Sequence, residues 1–595
     1  MIRIFRHLSK REWVLIVISL GLVVAQIGLE LQLPQYMQEI TVLTMQTTVM
    51  SDADEIAGIM GQIWWAGGKM LICTLISALS TIVNGFCAAR LGAGVSHTLR
   101  GKIFSRVEAF TMEEIGHFST ASLITRTTND IQQIQMIIAM GMQMIIRAPI
   151  MAVMAFSKIS TKQSEWTILT GIALAGMLTL ISFVIVYAIP KFRKIQMLTD
   201  NLNRVTRENL NGIRVVRAYN AEEYQEGKFE RANDDLTTNN LKVNRAMAIF
   251  QPGINLIMNC MSIGIFWIGA YIISRAEQNA KFEIFGDMTV FSNYAMMLLM
   301  SFMSLVMIFM MAPRVTVSAR RINEVLDTEP KILDGKLTAS PAGVEGEIEF
   351  RNVGFKYPDA EDYVLKNVNF TCHKGDTVAF IGSTGSGKST LINLVPRFYD
   401  VSEGAVLIDG IDVREYTQEA LRKKIGYVPQ KATLFTGNVS TNVSYGDASG
   451  ELGDANEITR ALRVAQATEF VEKMDGGVVA AISQGGQNIS GGQKQRLSIA
   501  RAIYRRPEIY IFDDSFSALD YKTDQQLRAA LRTESAGVTN LIVAQRIGTI
   551  RDADKIIVLE AGQLVGEGTH DELMASCEVY REIAFSQLSK EELGA

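Results

Sequence analysis

Six stretches without a single Asp, Glu, Lys or Arg dominate the first half of the chain: Trp13 to Leu29, Met70 to Ala89, Ile131 to Ile146, Trp166 to Pro190, Ala246 to Ser274 and Met288 to Pro313. Each is rich in Leu, Ile, Met, Val and Ala, and a helix needs about 20 such residues to cross the hydrocarbon core of a bilayer. One run alone also fits a buried helix of a soluble domain, and the shortest, Ile131 to Ile146, fits that best. Six in succession predict a polytopic membrane domain with spans at about 13–33, 64–89, 131–156, 166–190, 246–274 and 286–313.

Whole-chain averages hide this division. Over 595 residues, 48% are hydrophobic and 20% charged, which excludes a disordered chain. With 58 Lys+Arg against 62 Asp+Glu the net charge is -4, so a nucleic-acid binder relying on overall basic charge is disfavoured. Cys73, Cys87, Cys260, Cys372 and Cys577 have neither metal-ligand spacing nor a small-scaffold disulfide pattern, and packing is their expected role. The leader carries Arg3, Arg6, Lys10 and Arg11, whereas Pro34 to Ile63 has no Lys or Arg. By the positive-inside rule the N-terminus is cytoplasmic, the 34–63 loop is external, and an even number of spans returns the C-terminus to the cytoplasm. The first apolar segment has no convincing small-residue cleavage site, so it is read as a span, not as a cleaved signal. Trp13, Trp64, Trp65, Trp166 and Trp267 all fall in this half, most near span ends, as interfacial anchors do.

Two cytoplasmic connections, Arg90 to Asp130 and Lys191 to Arg245, carry charge at helical spacing without a core-sized apolar set. They read as helices continuing out of the membrane, joined by short elements near Met112 to Phe118 and Asn211 to Ala218, and not as small soluble insertions. Such projections reach a cytoplasmic partner surface. The membrane domain is placed at 1–325, and DTEPKILDGKLTASPAG falls in a linker at 326–344. From 345 to 595 short β-branched runs (EIEFRNVGFKY, DTVAFIG, GAVLIDG, EIYIFDD, TNLIVAQ, KIIVLEAG) alternate with helical stretches, the pattern of an α/β domain.

GSTGSGKS, spanning Gly382, Ser383, Thr384, Gly385, Ser386, Gly387, Lys388 and Ser389, follows the strand DTVAFI and opens the helix STLINLV, which begins at Ser389 and Thr390. Glycines let backbone N–H groups wrap a phosphate chain, Lys388 reaches the β- and γ-phosphates, and Ser389 binds Mg²⁺. EIYIFDD ends a hydrophobic strand at Asp513, placed to hold Mg²⁺ through its water shell. Together the two motifs specify a nucleoside triphosphate site.

A phosphate loop alone fits a kinase, a helicase or a GTPase. NISGGQKQR at Asn488 to Arg496 decides between them, and with it nearly the whole chain resembles the ATP-binding cassette (ABC) exporters that fuse a six-helix membrane domain to one nucleotide-binding domain. The resemblance implies ATP and Mg²⁺ as cofactors and coupling of ATP hydrolysis to transport. It implies that Tyr357 of FKYP stacks on adenine, that Gln430 of YVPQ senses Mg²⁺ and contacts the coupling helices, and that Asp520 of SALD lines a dimer interface. Ser490, Gly491, Gly492 and Gln493 would meet the γ-phosphate held by a second cassette; on their own they also fit a tight turn capping a helix.

Two positions depart from the family pattern. Asp514 stands where most active cassettes have a water-polarising Glu, and Gln545 stands where VAHR supplies His; Gln484 also replaces a common Glu before the signature. Shortening a carboxylate by one methylene moves it by about 1 Å, and misplacement on that scale can cost about 10²-fold. Gln545 can donate a hydrogen bond but cannot become cationic, which removes a further factor on the order of 10²-fold. Neutral drift in a homodimer is one explanation. The selective pattern, with phosphate-binding and signature residues intact, favours the degenerate-site subunit of a heterodimer whose partner keeps Glu and His.

The substrate is least constrained. Met is abundant, 28 in all, and flexible thioethers suit varied apolar ligands as well as helix packing or lipid contact. Glu30 and Arg147, together with Asn84, Asn255 and Asn259, are costly in a span unless paired or facing water, and rise along the helices puts Glu30 and Arg147 in the outer half of the membrane, where an ion pair between them is one hypothesis. An unpaired Glu30 facing a cavity would favour cationic amphiphiles. The expectation is export of amphiphilic drugs or lipids across a bacterial cell membrane. A dedicated lipid or peptide exporter and an ATP-gated regulatory or channel subunit remain the alternatives.

Overall fold

The computed structural model describes residues 6, 8–47, 52–339, 345–358, 360–447 and 453–587; Arg3 of the leader and 340–344 of the expected linker lie outside the described residues. It contains two compact units, Met1–Val107 with Ala121–Thr328, and Glu108–Thr120 with Glu329–Ala595. In chain order the helices of the first 330 residues are α1 (Lys10–Glu30), α2 (Leu33–Thr47), α3 (Ala53–Glu108), α4 (Met112–Phe118), α5 (Thr120–Thr125), α6 (Ile131–Ile159), α7 (Ser164–Asn211), α8 (Ile213–Ala218), α9 (Glu222–Arg275) and α10 (Gln278–Asp327).

The described residues of the first unit include six helical stretches long and apolar enough to cross a membrane, as the uncharged runs require. The first begins where Ser9 and Glu12 form a reciprocal capping box, which satisfies donors that the first turn leaves unpaired. The described part of the 34–63 connection is helical over Leu33–Thr47 and again from Ala53, and Pro34 is accommodated in a first turn where its missing N–H costs nothing. Pro149, Pro190 and Pro252 lie inside helices, a placement tolerated where neighbouring spans support the backbone.

The core of this unit is built where the end of α6 meets the start of α7 and the end of α9 meets the start of α10. Trp166 is fully buried, its ring 5.4 Å from that of Phe291. A Cβ on Gly269 would lie 2.4 Å from the Met288 sulfur, so α9 and α10 pass closely there and a larger residue would push the Met288 side chain aside. Trp13, Trp64, Trp65 and Trp267 are exposed as anchors should be, but Trp166 is a core residue: apolar neighbours on two other helices cover it. Cys260 is likewise exposed, whereas the other four cysteines are buried. The Tyr294 hydroxyl donates to the Leu31 carbonyl at 2.6 Å. The Asp287 carboxylate of α10 accepts from Lys162, between α6 and α7, at 2.6 Å and from Gln38 of α2 at 2.7 Å.

At the other end of α6 a π-helical turn, Arg126–Asp130, turns both named side chains inward. Arg126 donates to the Arg321 carbonyl at 2.7 Å and pairs with Glu324 at 3.0 Å, and Ser318 donates to Asp130 at 2.8 Å. Buried charge is thus matched across α10, as a low-dielectric interior demands. The extensions of α7 and α9 run on as helices joined by α8, tied by Asn239 donating to the Lys191 carbonyl at 3.0 Å.

In the second unit α4 is closed by a capping box between Thr111 and Glu114. The described part of the expected linker is packed, not free: the Lys331 N–H donates to Glu114 at 3.2 Å, Lys331 pairs with Glu113, and the Gly335 N–H donates to the Tyr416 carbonyl at 3.0 Å. The strands are β1 (Ile348–Phe355), β2 (Leu365–Cys372), β3 (Thr377–Gly382), β4 (Glu403–Ile408), β5 (Ile411–Asp412), β6 (Ile425–Val428), β7 (Gly437–Asn438), β8 (Ala481–Ile482), β9 (Ile509–Asp513), β10 (Thr539–Val543), β11 (Lys555–Glu560) and β12 (Gln563–Gly568). An antiparallel sheet has the order β2-β1-β4-β5, and a second sheet the order β12-β11-β3-β10-β9-β6. In the second, β11, β3, β10, β9 and β6 are parallel, and β9 is buried at every residue. A continuous apolar strand is what a sheet covered on both faces requires, and its carboxyl edge is where ligands bind.

Candidate functional site

Strand β3 delivers the phosphate loop and helix α11 (Lys388–Leu394) receives it. A Cβ on Gly382 would stand 2.0 Å from the Leu559 carbonyl oxygen, and one on Gly387, at φ +98, 2.8 Å from Leu365. Both positions therefore need glycine for reasons of packing as well as phosphate approach. Ser383, Thr384 and Gly385 are exposed at the loop's crest, while Ser386 is buried and its N–H closes a turn on the Ser383 carbonyl at 3.2 Å. Lys388 Nζ donates to the carbonyls of Gly382 and Ser383, each at 2.8 Å, and so is held over the loop's mouth. Burial lowers the Lys388 ammonium from its ordinary range, with Asp514 and Asp513 opposing.

Across the recess, β9 ends at Asp513, whose Oδ1 accepts from the Ser389 hydroxyl at 2.8 Å. Burial raises the Asp513 carboxyl above the usual carboxylate range, and the Ser389 bond and Lys388 do not fully offset it. A hydroxyl and a carboxylate in contact at the loop are hard oxygen donors that suit Mg²⁺. Asp514 follows at φ +44, a left-handed conformation that Asp adopts more readily than most residues. Its Oδ2 accepts from Gln545 Nε2 at 2.8 Å and from Gln430 Nε2 at 3.2 Å. The structure thus gathers Lys388, Ser389, Asp513, Asp514, Gln430 and Gln545 around one recess of about 590 Å³, and it joins Gln430 to Asp514.

Tyr357 lies in a neighbouring recess of about 580 Å³, edge-on to Tyr399, with its hydroxyl 2.9 Å from Thr390 Oγ1. The signature stands elsewhere, at the start of helix α12 (Gly491–Tyr504). Ser490 caps that helix: its Oγ accepts from the Gln493 N–H at 3.3 Å, and Gln493 Oε1 accepts from the Ser490 N–H at 2.9 Å. A Cβ on Gly492 would lie 3.2 Å from the Ala518 carbonyl, so the signature and SALD segments pass closely. Asp520 caps helix α13 (Tyr521–Glu534), accepting from the Thr523 N–H at 3.0 Å. Sequence reasoning missed Ile583, Ser586 and Gln587 of helix α14 (Glu578–Gln587), which wall the phosphate-loop recess. The only sequence signal is the helical spacing of Tyr580, Ile583, Ala584 and Gln587, which places them on one face.

In the first unit Arg147 Nη2 donates to Glu30 at 2.7 Å, and Gln26 Nε2 donates to the other Glu30 oxygen at 2.8 Å. The hypothesised ion pair is formed, and Glu30 is not the lone carboxylate a cationic ligand would seek. It borders a cavity of about 310 Å³ with Met144, Met151, Met297, Met300, Ser301 and Ser304.

A membrane-spanning helical domain fused to a phosphate-loop cassette with an ISGGQ-capped helix defines the ABC half-transporters. The family profile "ABC transporter transmembrane region" matches residues 16–302, and "ABC transporter" matches 365–517. An uncharacterized ABC transporter ATP-binding protein of Mycobacterium tuberculosis is 39% identical over 88% of each chain. YfiB of Bacillus subtilis, also an uncharacterized ABC transporter ATP-binding protein, is 34% identical over 89% of this chain and 90% of its own. An ATP-dependent lipid A-core flippase of Pseudomonas aeruginosa is 32% identical over 85% of this chain and 82% of its own. The structure of a bacterial Atm1-family ABC exporter with ATP bound aligns at a TM-score of 0.77 with 22% identity, covering 98% of this chain and 99% of that one, a likeness of fold. The chain belongs to the ABC transporters, as an exporter half-transporter whose cassette binds ATP and couples its hydrolysis to transport. Exporters of this half-transporter kind act as dimers.

Proposed function

We propose that this chain is the degenerate-site half of a heterodimeric exporter of amphiphilic compounds. Asp514 and Gln545 carry the reading, because they stand where a catalytic Glu and His are expected while every phosphate-loop and signature residue is retained. The geometry supports it: one Asp514 oxygen is already engaged by the Gln545 and Gln430 amides, and the carboxylate is one methylene short of the Glu it replaces. In this reading the chain's own phosphate loop retains ATP and hydrolyses it slowly. Ser389, Asp513 and Gln430 hold Mg²⁺ directly or through its waters, and Tyr357 stacks on adenine. Ser490, Gly491, Gly492 and Gln493 complete the hydrolysing site of a partner half-transporter that keeps Glu and His, with Asp520 at the interface. The cassette spans 345–595, the termini face the cytoplasm, and the membrane is that of a bacterial cell.

Two cassettes closing on two ATP molecules turn an inward-facing cavity outward, and ATP biases that equilibrium only through its higher affinity for the closed state. The Met-lined cavity beside Arg147 suits an amphiphile with an apolar body. A dedicated lipid exporter is the second reading, favoured by the flippase relative; stimulation of ATPase by many unrelated amphiphiles would exclude it. For the main reading, the chain purified alone should have little ATPase activity, and Asp514→Glu with Gln545→His should accelerate turnover by about 10²-fold or more. Robust ATPase from the chain alone, abolished by Lys388→Ala, would defeat the heterodimer.

A further inference from the structure

The segment that follows β10 has no capping residue of its own. The four-residue helix Ile547–Ile550 begins at Arg546, whose side chain makes no capping bond, so the Ile547 N–H needs a partner from elsewhere. Gln587, 40 residues further on, supplies it: its Oε1 accepts from the Ile547 N–H at 2.9 Å. The other end of the same amide, Nε2, donates to the Gln545 carbonyl at 2.7 Å. One side chain therefore grips the backbone on both sides of Arg546. Gln545 in turn donates to Asp514.

The helix that carries Gln587 is itself anchored. Ala584 and Tyr580, one and two turns before it, are fully buried in a cluster with Ile381, Ala544, Ile547 and Ile550. Ile583, Ser586 and Gln587 also line the recess of the phosphate loop. We infer that Gln587 is a positioning residue for the nucleotide site: it sets the aim of Gln545 from the C-terminal helix, and it carries nucleotide-driven movement of Gln545 back to that helix. The coupling requires ATP at the phosphate loop and holds at any rate of hydrolysis.

The two bonds can be separated by substitution in the full-length protein. Gln587→Met keeps the length and removes both; Gln587→Glu keeps the acceptor for Ile547 and removes the donor to Gln545. Amide hydrogen exchange is read at Ile547 and across 578–587, with and without Mg²⁺-ATP. Losing one net hydrogen bond should speed exchange of the Ile547 amide by about 2- to 10-fold in Gln587→Met. Gln587→Glu should preserve its protection. ATP should alter exchange across 578–587 in the wild type, and the response should vanish in Gln587→Met although ATP still binds. Equal Ile547 protection in all three proteins, or an undiminished ATP response of 578–587 in Gln587→Met, would overturn the inference. If Gln587→Met does not fold, Gln587→Glu still decides it: the ATP response of 578–587 must weaken while Ile547 stays protected, and the opposite pattern refutes the coupling.

Discussion

Burial costs Asp513 its ordinary acidity, and the sign of the effect on stability follows. A carboxyl raised in the folded chain binds its proton more tightly there than when unfolded. Its ionisation therefore opposes folding as pH rises above the unfolded value of about 3.9, and the loss is complete once pH passes the folded value. A bound cation would reverse that cost. Asp513→Asn should raise the thermal midpoint at neutral pH without nucleotide and erase the extra stabilisation that Mg²⁺ adds to ATP. A lower midpoint, or a retained Mg²⁺ increment, contradicts the assignment. In the wild type the Mg²⁺ contribution to ATP affinity should fall as pH is lowered, from a midpoint above that of an ordinary aspartate. The phosphate loop, Asp513 and the two departures at Asp514 and Gln545 were legible in the sequence because each lies within a short motif. Gln587 was not, because its partners are 40 residues away and a glutamine on a helix has no chemistry of its own.

Helix α4 shows what an element-level reading can reach. A short element near Met112 to Phe118 was legible from the break in a long charged connection, whereas the Thr111–Glu114 capping box that sets its start comes from the structure. Its tie to the segment after α10 was not legible, since a linker composition says nothing about where Lys331 lands. Burial raises the Glu114 carboxyl, but the Thr111 donors and the Lys331 N–H outweigh it and leave it below the usual range. The stabilisation is thus present above the unfolded value of about 4.3 and is lost as pH falls through the depressed one. Glu114→Ala leaves the Thr111 and Lys331 N–H groups without their acceptor, at a cost of about 1–3 kcal/mol. Exchange of the 111–118 amides should quicken in the variant. Unchanged exchange would show that α4 is held by other contacts. Elsewhere the expectation of an interfacial Trp166 failed because a tryptophan near a span end is equally compatible with tertiary burial.

For the whole molecule, the division into an apolar helical unit and an α/β cassette was readable from charge-free runs and strand spacing, and the Glu30–Arg147 pair was one hypothesis from helical rise. Arg147 is the freer partner, with 43% of its side chain exposed against 17% for Glu30. Inside a span, removing either partner leaves the other charge uncompensated, so each single substitution is costly. Glu30→Gln should release the guanidinium and strengthen ATPase stimulation by anionic amphiphiles in reconstituted membranes, whereas Arg147→Ala should weaken it. Equal responses in both variants would place substrate elsewhere. Near the start of α10, Asp287 receives Lys162 and Gln38 on one carboxylate oxygen. That shared anchor ties α2, the α6–α7 turn and α10 into a tripod. Spectroscopic rulers between its three feet should read a constant length through the transport cycle, while rulers from any foot to a helix outside the tripod report the opening.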